Sequence, residues 1–333
     1  MKKGIDVAGN MLVDTIYTIN CYPKIGELAL VEDKVTRSTG GAVCNVIADL
    51  ARLDGKLPLT ALGVIGNDEN GEFILESLSE YKNIDLSKIV REGASSFSAV
   101  MSDRSTKQRT FFHAKGSNAI FSEKHIDWSG LEISHLHIGY LLLLDELDKP
   151  DLEFGTKMAR LLASAKKNGI KTSIDMVSDS NSRYEAIVPP ALKYTDYCII
   201  NETEAQCLTG LRLREENGIN EENTLAALRT IRDMGVADWA VIHAPESGYG
   251  LDCVSGEFVK LESLCLPEGY IKGTNGAGDA FCAGVLYAAY MEKSLEEALE
   301  LGTGCAACSL SEPGAAEGMR SYEEVMKLYR NLR

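Results

Sequence analysis

Lys272-Gly-Thr-Asn-Gly-Ala-Gly-Asp-Ala-Phe281 is the stretch on which the interpretation of the whole chain depends. Its Gly-Ala-Gly turn opens directly into an apolar run, Phe281 to Met291, that contains no proline. Ala283, Leu286 and Ala289 recur at helical spacing in that run, which predicts an amphipathic helix. Small residues before a helix leave several backbone N–H groups free to converge on one anion. The stretch therefore predicts an anion-binding helix start.

Asp279 is the unexpected member of this stretch, because a carboxylate is a poor ligand for phosphate. Its position makes chemical sense if it accepts a proton from a nucleophile that attacks phosphorus. A dinucleotide-binding turn would require a third glycine where Phe281 stands, and a Walker A loop would require Gly-Lys-Ser/Thr. An ordinary helix N-terminus with Asp279 as the partner of the helix dipole remains the alternative.

Composition and charge restrict the classes of protein to which the chain can belong. Its 333 residues, 45% hydrophobic and 25% charged, are typical of an ordinary globular protein of one or two domains. A net charge of −15 argues against nucleic acid and against an anionic membrane as partners. A small anionic ligand remains compatible, because backbone amides can hold a phosphate without lysine or arginine.

The cysteines and the apolar segments indicate where the protein works. The nine cysteines are odd in number and scattered through apolar segments, which favours a reducing compartment over a disulfide framework. The N-terminal apolar segment is too short for a signal peptide, and no apolar run approaches the length of a membrane span. These features predict a cytoplasmic protein.

From Ser134 onward, strand-like and helix-like segments alternate, which predicts βαβ units and a mainly parallel sheet. The expected strands are 134–139, 170–175, 196–200 and 239–243, and the expected helices are 152–168, 185–193 and 222–234. Two capping boxes, Ser294 to Glu297 and Ser321 to Glu324, predict the starts of two terminal helices.

The N-terminal part adds half-exposed strands to this α/β pattern. A buried strand at Ile5 to Ala8 is followed by strand-like segments at Thr15 to Ile19 and Leu28 to Val31, and residues 96–103 and 109–113 resemble a β-hairpin. We therefore expect an α/β body (1–10, 38–95 and 114–333) and a β lid (11–37 and 96–113) over the carboxyl ends of its strands. Exposed strand edges in such a lid predict a homodimer that pairs through it.

Five motifs together resemble the ribokinase/PfkB family of carbohydrate and nucleoside kinases. Residues 273–281 are similar to its Asp-Thr-x-Gly-Ala-Gly-Asp signature, and residues 40–45 to its Gly-Gly-x-x-x-Asn. Residues 63–71 resemble Gly-x-x-Gly-x-Asp-x-x-Gly, residues 201–204 resemble Asn-x-x-Glu, and Asp14 stands where the family has a substrate-binding acid. The motifs occur in family order along nearly the whole chain. The resemblance implies a three-layer α/β/α body with a small β lid.

The resemblance also implies roles for individual residues. Asp279 would be the base that takes the proton of the substrate hydroxyl, and the amides of Asn275, Gly276, Ala277 and Gly278 would form the anion hole. Asn201 and Glu204 would act on Mg²⁺ through water; their alternative interpretation is a strand end followed by a helix cap at Thr203. His243 and Gly248, at the ends of the segment similar to the nucleotide loop, would contact ATP.

For the substrate, the resemblance implies contacts from Asp14, Gly40, Gly41 and Asn45. A carboxylate offers two acceptors to a pair of hydroxyls, an amide side chain both donates and accepts, and glycines permit close approach of the backbone. An ordinary turn and helix start is the alternative interpretation of the same residues.

Three departures from the family pattern qualify these expectations. Gly273 replaces the signature's first Asp, so a monovalent-cation site is doubtful. Pro245 replaces a glycine of the nucleotide loop and removes a backbone N–H. Ala42 stands where sugar kinases of the family often have lysine, which argues against a phosphorylated acceptor.

The predicted function is an ATP- and Mg²⁺-dependent kinase that phosphorylates a primary hydroxyl of an unphosphorylated sugar. A nucleoside kinase of the same family is the first alternative, for which Phe97, Phe112 and Tyr17 could stack on a base. A non-catalytic sugar or nucleotide sensor is the second, against which the presence of Asp279 argues. His135 and His137 could mimic a metal-binding pair on one strand face, but the sequence shows no carboxylate cluster beside them.

Overall fold

The computed structural model describes residues 4–106, 108–178 and 183–333. Residues 1–3, 107 and 179–182, which belong to the predicted body and lid ranges, lie outside the described residues. The strands of the two large sheets are, in chain order, β1 (Gly4–Gly9), β2 (Leu12–Ile19), β3 (Val31–Gly40), β4 (Leu59–Leu62), β5 (Ile84–Asp85), β6 (Ser96–Asp103), β7 (Arg109–Ala114), β8 (Ile133–Leu141), β9 (Lys171–Met176), β10 (Tyr197–Asn201), β11 (Trp239–His243), β12 (Ser247–Asp252) and β13 (Phe258–Glu262).

The remaining regular elements are helices and short strand pairs. The α-helices are α1 (Ala42–Leu53), α2 (Glu69–Ser79), α3 (Lys157–Lys167), α4 (Tyr184–Leu192), α5 (Glu202–Thr209), α6 (Glu221–Asp233), α7 (Ala277–Tyr290), α8 (Leu295–Ser309) and α9 (Tyr322–Leu332). Three 3₁₀ turns lie at Gly116–Ile120, Glu123–His125 and Trp128–Gly130. Two-residue strands pair Val64–Ile65 with Val90–Arg91, Pro150–Asp151 with Gly155–Thr156, and Arg214–Glu215 with Gly218–Ile219.

The central sheet has nine strands in the order β13-β12-β11-β10-β9-β8-β1-β4-β5. It is parallel from β5 to β11, and β12 and β13 extend it antiparallel. One buried cluster joins the sheet to α1, α2, α7, α8 and α9, and the other joins it to α3, α4, α5 and α6. Helices on both faces explain the nearly continuous burial of its parallel strands. The predicted three-layer α/β/α architecture is confirmed.

A second sheet of four strands has the order β3-β2-β6-β7. In its register Asp14 lies opposite Ser38 and Ser98, and Ser98 lies opposite His113, so polar side chains share one face. The predicted hairpin of β6 and β7 is confirmed. The predicted strand at Leu28 to Val31 is wrong: β3 begins at Val31 and continues to Gly40, because its backbone pairs with β2 over that whole length.

Element boundaries account for most other differences from the sequence predictions. The helix expected from residue 152 begins at Lys157, because the Thr156 side chain caps it by accepting from the Ala159 amide. The antiparallel pair β12 and β13 was not predicted. The two capping boxes that start with Ser294 and Ser321 are confirmed.

Among the described helices, none combines the length and the apolar character that crossing a lipid bilayer would require.

Candidate active site

A cavity of about 660 Å³ lies at the carboxyl ends of the central strands, beneath one face of the four-stranded sheet. It collects most of the predicted site residues from distant parts of the chain. Those that line it are Asp14, Gly40, Gly41, Asn45, Asn201, Glu204, His243, Asn275, Gly276, Gly278 and Asp279. Ala277 and Gly248 do not belong to its lining.

The glycine turn before α7 forms one wall of the cavity. Gly276 has a φ of +74°, and a Cβ there would lie 2.5 Å from the carbonyl oxygen of Ala315, so only glycine fits. A Cβ on Gly278 would press on the His243 ring at 3.2 Å. Within the described residues, no protein acceptor bonds the backbone N–H groups from Asn275 to Asp279. These amides, at the start of a helix, are available to an anion.

Asp279 lies in the first turn of α7, which begins at Ala277 rather than at the predicted Phe281. Its side chain is buried, and its Oδ2 accepts hydrogen bonds from Asn45 Nδ2 at 2.8 Å and from the Tyr140 hydroxyl at 3.2 Å. Burial, together with the nearby Asp175 carboxylate, raises the pKa of Asp279 to about 7, although the two hydrogen bonds oppose this shift. A carboxyl group with that pKa exchanges a proton readily near neutral pH.

Tyr140 and Asp175 are site residues that the sequence analysis missed. Tyr140 has a φ of +59°, and its backbone N–H donates to Asp175 Oδ1, which holds the end of β8 against the end of β9. Both residues line the cavity. The sequence did contain a signal for both residues. They are polar and stand at the carboxyl ends of predicted parallel strands, where open α/β sheets bind ligands.

Asp14 and the Gly40–Gly41 pair form the opposite side of the cavity. A Cβ on Gly40 would lie 2.7 Å from Asp14 Oδ2, and Gly41 has a φ of +86° with Asn10 O only 2.5 Å from its ideal Cβ position. Burial raises the pKa of Asp14, against the lowering effects of the Ser98 hydrogen bond and the Arg109 charge. The glycines are therefore required for the backbone to pass this close to the carboxylate.

Asn201 and Glu204 form a reciprocal capping box at the start of α5. Glu204 N donates to Asn201 Oδ1 at 2.9 Å, and Asn201 N donates to Glu204 Oε2 at 3.0 Å. The helix cap is thus Asn201, and the alternative placement of the cap at Thr203 is wrong. Burial, followed by the charges of Asp175 and Asp279, raises the pKa of Glu204 to about 8.

The two residues expected to contact the nucleotide have different surroundings. His243 lines the cavity, and its ring centroid lies 5.0 Å from that of Phe281. Burial lowers the pKa of His243 to about 4, so its imidazole is neutral at physiological pH. Gly248 faces the Phe281 ring, 3.2 Å from where its Cβ would be, and leaves no room for a side chain on β12. Its glycine is explained by packing against α7.

The three departures from the family pattern have local explanations. A Cβ on Gly273 would lie 2.8 Å from the carbonyl oxygen of Pro313, so an Asp cannot be placed there without moving that segment. Ala42 packs against Gly139, where an added Cβ would come within 2.0 Å of the alanine methyl group. Pro245 lies in the turn between β11 and β12, where Ala244 and Ser247 carry the backbone hydrogen bonds.

Known proteins resemble this chain in sequence and in fold. The Haemophilus influenzae ribokinase is 25% identical over 98% of both chains, and an Arabidopsis thaliana ribokinase is 26% identical over 97% of this chain and 80% of its own. The ribokinase structure from Thermotoga maritima superimposes with a TM-score of 0.79 at 20% identity, covering 99% of this chain and 100% of that one. Arabidopsis thaliana ribokinase in complex with ribose and ATP superimposes with the same TM-score, 0.79, at 21% identity and 99% coverage of both chains.

A family match covers almost the entire chain. Residues 7–321 match the family described as pfkB family carbohydrate kinase. This range includes both walls of the cavity and all of the site residues described above. The chain therefore belongs to the pfkB family of carbohydrate kinases.

Proposed function

We propose that the protein transfers the γ-phosphate of ATP, with Mg²⁺, to a primary hydroxyl of an unphosphorylated sugar. The observation that carries the proposal is the start of α7, where unbonded amides and the buried Asp279 carboxyl face one cavity. Phosphoryl transfer needs positioning and charge stabilisation more than covalent chemistry from the protein. The first turn of α7 offers both positioning and charge stabilisation.

In this proposal Asp279 is the base. Asn45 and Tyr140 hold its Oδ2, so within the described residues Oδ1 keeps no protein donor and can accept the proton of the attacking hydroxyl. A base with a pKa of about 7 is about half ionised at neutral pH, and its ionised form retains enough basicity to assist the transfer.

The amides of Asn275, Gly276, Ala277 and Gly278 act as the anion hole for charge that develops on the transferred phosphoryl group. They are fixed by the glycine turn, so they need no rearrangement at the moment of reaction. The carboxyl and the amides lie in one helical turn, so the hydroxyl and the phosphate would meet between them.

The donor set beside this turn fits a hard divalent cation. Buried carboxyl groups of Asp175, Glu204 and Asp279 share the cavity. Glu204 Oε2 accepts only from the Asn201 N–H and retains a lone pair, whereas Oε1 accepts from both Asn201 Nδ2 and the Ser178 hydroxyl. Magnesium prefers such oxygen ligands and usually keeps several waters, so Asn201 and Glu204 would hold Mg²⁺ through water. The bound ion would neutralise part of the negative charge of the ATP phosphates.

The acceptor is proposed to be a neutral polyhydroxyl compound. Among the described residues that line the cavity there is no lysine or arginine, whereas Asp14 and Asn45 offer oxygen and amide groups to hydroxyls. A second phosphate on the acceptor would find no local cation. Together with the small Ala42, this favours an unphosphorylated sugar.

One observation favours the nucleoside alternative. The ring of Phe111 lines the cavity on the four-stranded sheet, whereas the previously considered Phe97, Phe112 and Tyr17 do not line it. Alternation along a strand explains this, since Phe112 must point to the opposite face from Phe111. An aromatic ring at this wall could stack on a base as well as on the apolar face of a sugar.

A panel assay distinguishes these functions. ADP release is measured with ATP, Mg²⁺ and a set of free sugars, sugar phosphates and nucleosides. At least one free sugar is expected to turn over at about 1–100 s⁻¹, as is typical of kinases. Turnover of nucleosides alone would establish the alternative enzyme, and ATP binding without turnover of any acceptor would favour the sensor.

We also propose that the four-stranded sheet (11–37 and 96–113) is a lid through which two chains of this protein pair, and that the remaining ranges (1–10, 38–95 and 114–333) form the kinase body. Large apolar side chains are exposed on that sheet and its connecting loop: Ile25, Leu28, Leu30, Val35, Phe97 and Phe112. A contiguous exposed apolar surface of this kind is usually covered by a partner. The nine unpaired cysteines fit the proposed cytoplasmic location.

Sedimentation at micromolar concentration tests this dimer. The wild-type protein is expected to be dimeric, and Leu28→Glu is expected to raise the dimer dissociation constant by about 10-fold or more, because it places a charge in the interface. Leu152→Glu is the matched control, since Leu152 is fully exposed outside this sheet. A monomeric wild-type mass, or equal weakening by both variants, would contradict the proposal.

A further inference from the structure

Three metal-ligating side chains meet behind the proposed base, and the proposed mechanism gives no role to two of them, His137 and Cys282. His137 on β8, Asp175 on β9 and Cys282 on α7 each offer one atom, and these atoms all lie within 4.8 Å of one another. All three residues are buried. The sequence analysis disfavoured a metal pair of His135 and His137, and His135 packs against Tyr197 and Tyr290.

The distances within this triad are close to those of a metal site. His137 Nε2 lies 3.5 Å from Asp175 Oδ2 and 3.9 Å from Cys282 Sγ. Bonds of about 2.0 Å to nitrogen and oxygen and about 2.3 Å to sulfur, in tetrahedral geometry, separate the ligand atoms by roughly 3.3–3.8 Å. The two distances from His137 Nε2 lie within a few tenths of an ångström of this range, and the third pair, Asp175 and Cys282, lies within 4.8 Å.

The surroundings of His137 direct its Nε2 lone pair toward Asp175 and Cys282. Its Nδ1 lies 3.0 Å from the Ser173 hydroxyl, whose oxygen lies 3.5 Å from Leu136 O. A hydroxyl that donates to that carbonyl accepts from Nδ1–H, which puts the lone pair on Nε2. This lone pair then faces the Asp175 carboxylate oxygen, and two acceptors at this distance favour a cation between them. An outer hydrogen bond of this kind is typical of metal-bound histidine.

The charge around the triad also favours a cation. Asp175, Glu204 and Asp279 are buried together, and among the described residues none of them pairs with a lysine or an arginine. Mg²⁺ satisfies oxygen ligands, but the imidazole and thiol of the triad match a softer ion. Asp175 and Cys282 reach the wall of the cavity, so an ion could enter there, and a water could take the fourth position.

We propose that His137 Nε2, Asp175 Oδ2 and Cys282 Sγ form a binding site for one thiophilic divalent cation of the zinc type, distinct from the magnesium that accompanies ATP. Binding replaces the thiol proton of Cys282 with the metal and releases that proton to solvent. The bound charge lies next to Asp279, stabilises its ionised form and so weakens it as a base. Occupancy therefore inhibits phosphoryl transfer.

Cobalt titration of the full-length protein in excess Mg²⁺ tests the site directly. Co²⁺ is expected to bind with one equivalent showing a thiolate-to-cobalt charge-transfer band and tetrahedral d–d bands. Cys282→Ser should abolish that band, and His137→Gln should weaken binding by at least about 10-fold. Cys305→Ala is the matched control, because Cys305 is equally buried on α8 but belongs to no ligand cluster among the described residues; its spectrum should match the wild type.

Inhibition by Zn²⁺ is the second measurement. The concentration for half-inhibition should rise at least about 10-fold in Cys282→Ser and stay unchanged in Cys305→Ala, and a chelator should restore wild-type activity. The absence of a thiolate band in the wild type at saturating Co²⁺ would overturn the site, whatever the variants do. A band of equal intensity in Cys282→Ser would overturn it as well. The cobalt spectra of the wild type and of Cys282→Ser do not depend on whether the acceptor is a sugar.

Discussion

Asp279→Asn is expected to lower kcat for phosphorylation of the acceptor by about 10²–10⁴-fold, the contribution typical of a general base. The substitution keeps the shape of the side chain and removes only its ability to take a proton. Asp279 is buried, and Asn45 and Tyr140 hold its side chain. A water molecule therefore cannot easily replace it as the base. Affinity for ATP, measured by equilibrium binding, should change little, because the nearby amides remain.

The pH dependence of the same reaction gives an independent test of the base. Its pKa is raised to about 7, chiefly by burial, and the base acts only when ionised. The rate should therefore rise with pH through about 7 and level off above it, and it should fall as Asp279 is protonated at lower pH. The residual rate of Asp279→Asn should lack this inflection.

A control variant separates loss of the base from general disturbance of a buried acid. Asp49 on α1 is fully buried, and its carboxyl oxygens have no hydrogen-bond partner among the described residues. Burial, together with the Asp279 charge, raises the pKa of Asp49 well above the usual range. Asp49→Asn replaces a protonated carboxyl by an amide of the same shape outside the cavity lining, so kcat should stay close to wild type. Undiminished turnover in Asp279→Asn would rule out the assignment of the base.

Gly276→Ala is expected to reduce kcat by about 10²–10³-fold, the cost of losing a donor of an anion hole. The new methyl group would lie 2.5 Å from Ala315 O, so either the turn or the segment at residue 315 must move. Movement of the turn misaligns the amides that would hold the transferred phosphoryl group. The left-handed backbone, with φ at +74°, adds about 1–2 kcal/mol of strain for any residue with a Cβ.

Gly256→Ala is the matched control for this strain. Gly256 has a φ of +80°, but nothing lies within 4 Å of its ideal Cβ position, so the substitution introduces the strain without the collision. Both variants should lose stability in urea unfolding, Gly276→Ala more than Gly256→Ala because of the added collision, whereas only Gly276→Ala should lose kcat. A Gly276→Ala protein that folds and turns over within about threefold of wild type would contradict the anion hole, since the loss of one donor is worth about 10²-fold or more.

Much of the fold could be predicted from local pattern. The limits of β11, predicted as 239–243, agree with the structure, because turn residues bound its apolar run on both sides. Capping boxes located α8 and α9 because their hydrogen bonds are made within four residues. The β3 strand was misplaced because its polar, half-exposed sequence is held by pairing with β2 rather than by burial.

The candidate site also combines local features, which the sequence predicts, with tertiary contacts, which it does not. The glycine turn and Asp279 could be recognised from the sequence, since a helix start and its free amides are local features. Gly248 was assigned to the nucleotide from the motif alone, whereas its contact with Phe281 depends on how β12 packs on α7. Phe111 could be separated from Phe112 only when the register of β7 was known.

The sequence by itself determined the strand–helix alternation from Ser134 to His243, the family, and the residues that carry the proposed chemistry. Only the tertiary structure decided that Asn45, Tyr140 and Asp175 surround Asp279, and that burial among these groups raises its pKa to about 7. The same packing brought His137, Asp175 and Cys282 together from three different elements. Hydrogen bonds within a turn depend on residues that are adjacent in the sequence. Distances between remote side chains, and the shielding of those side chains from water, arise only when the sheet and its helices pack.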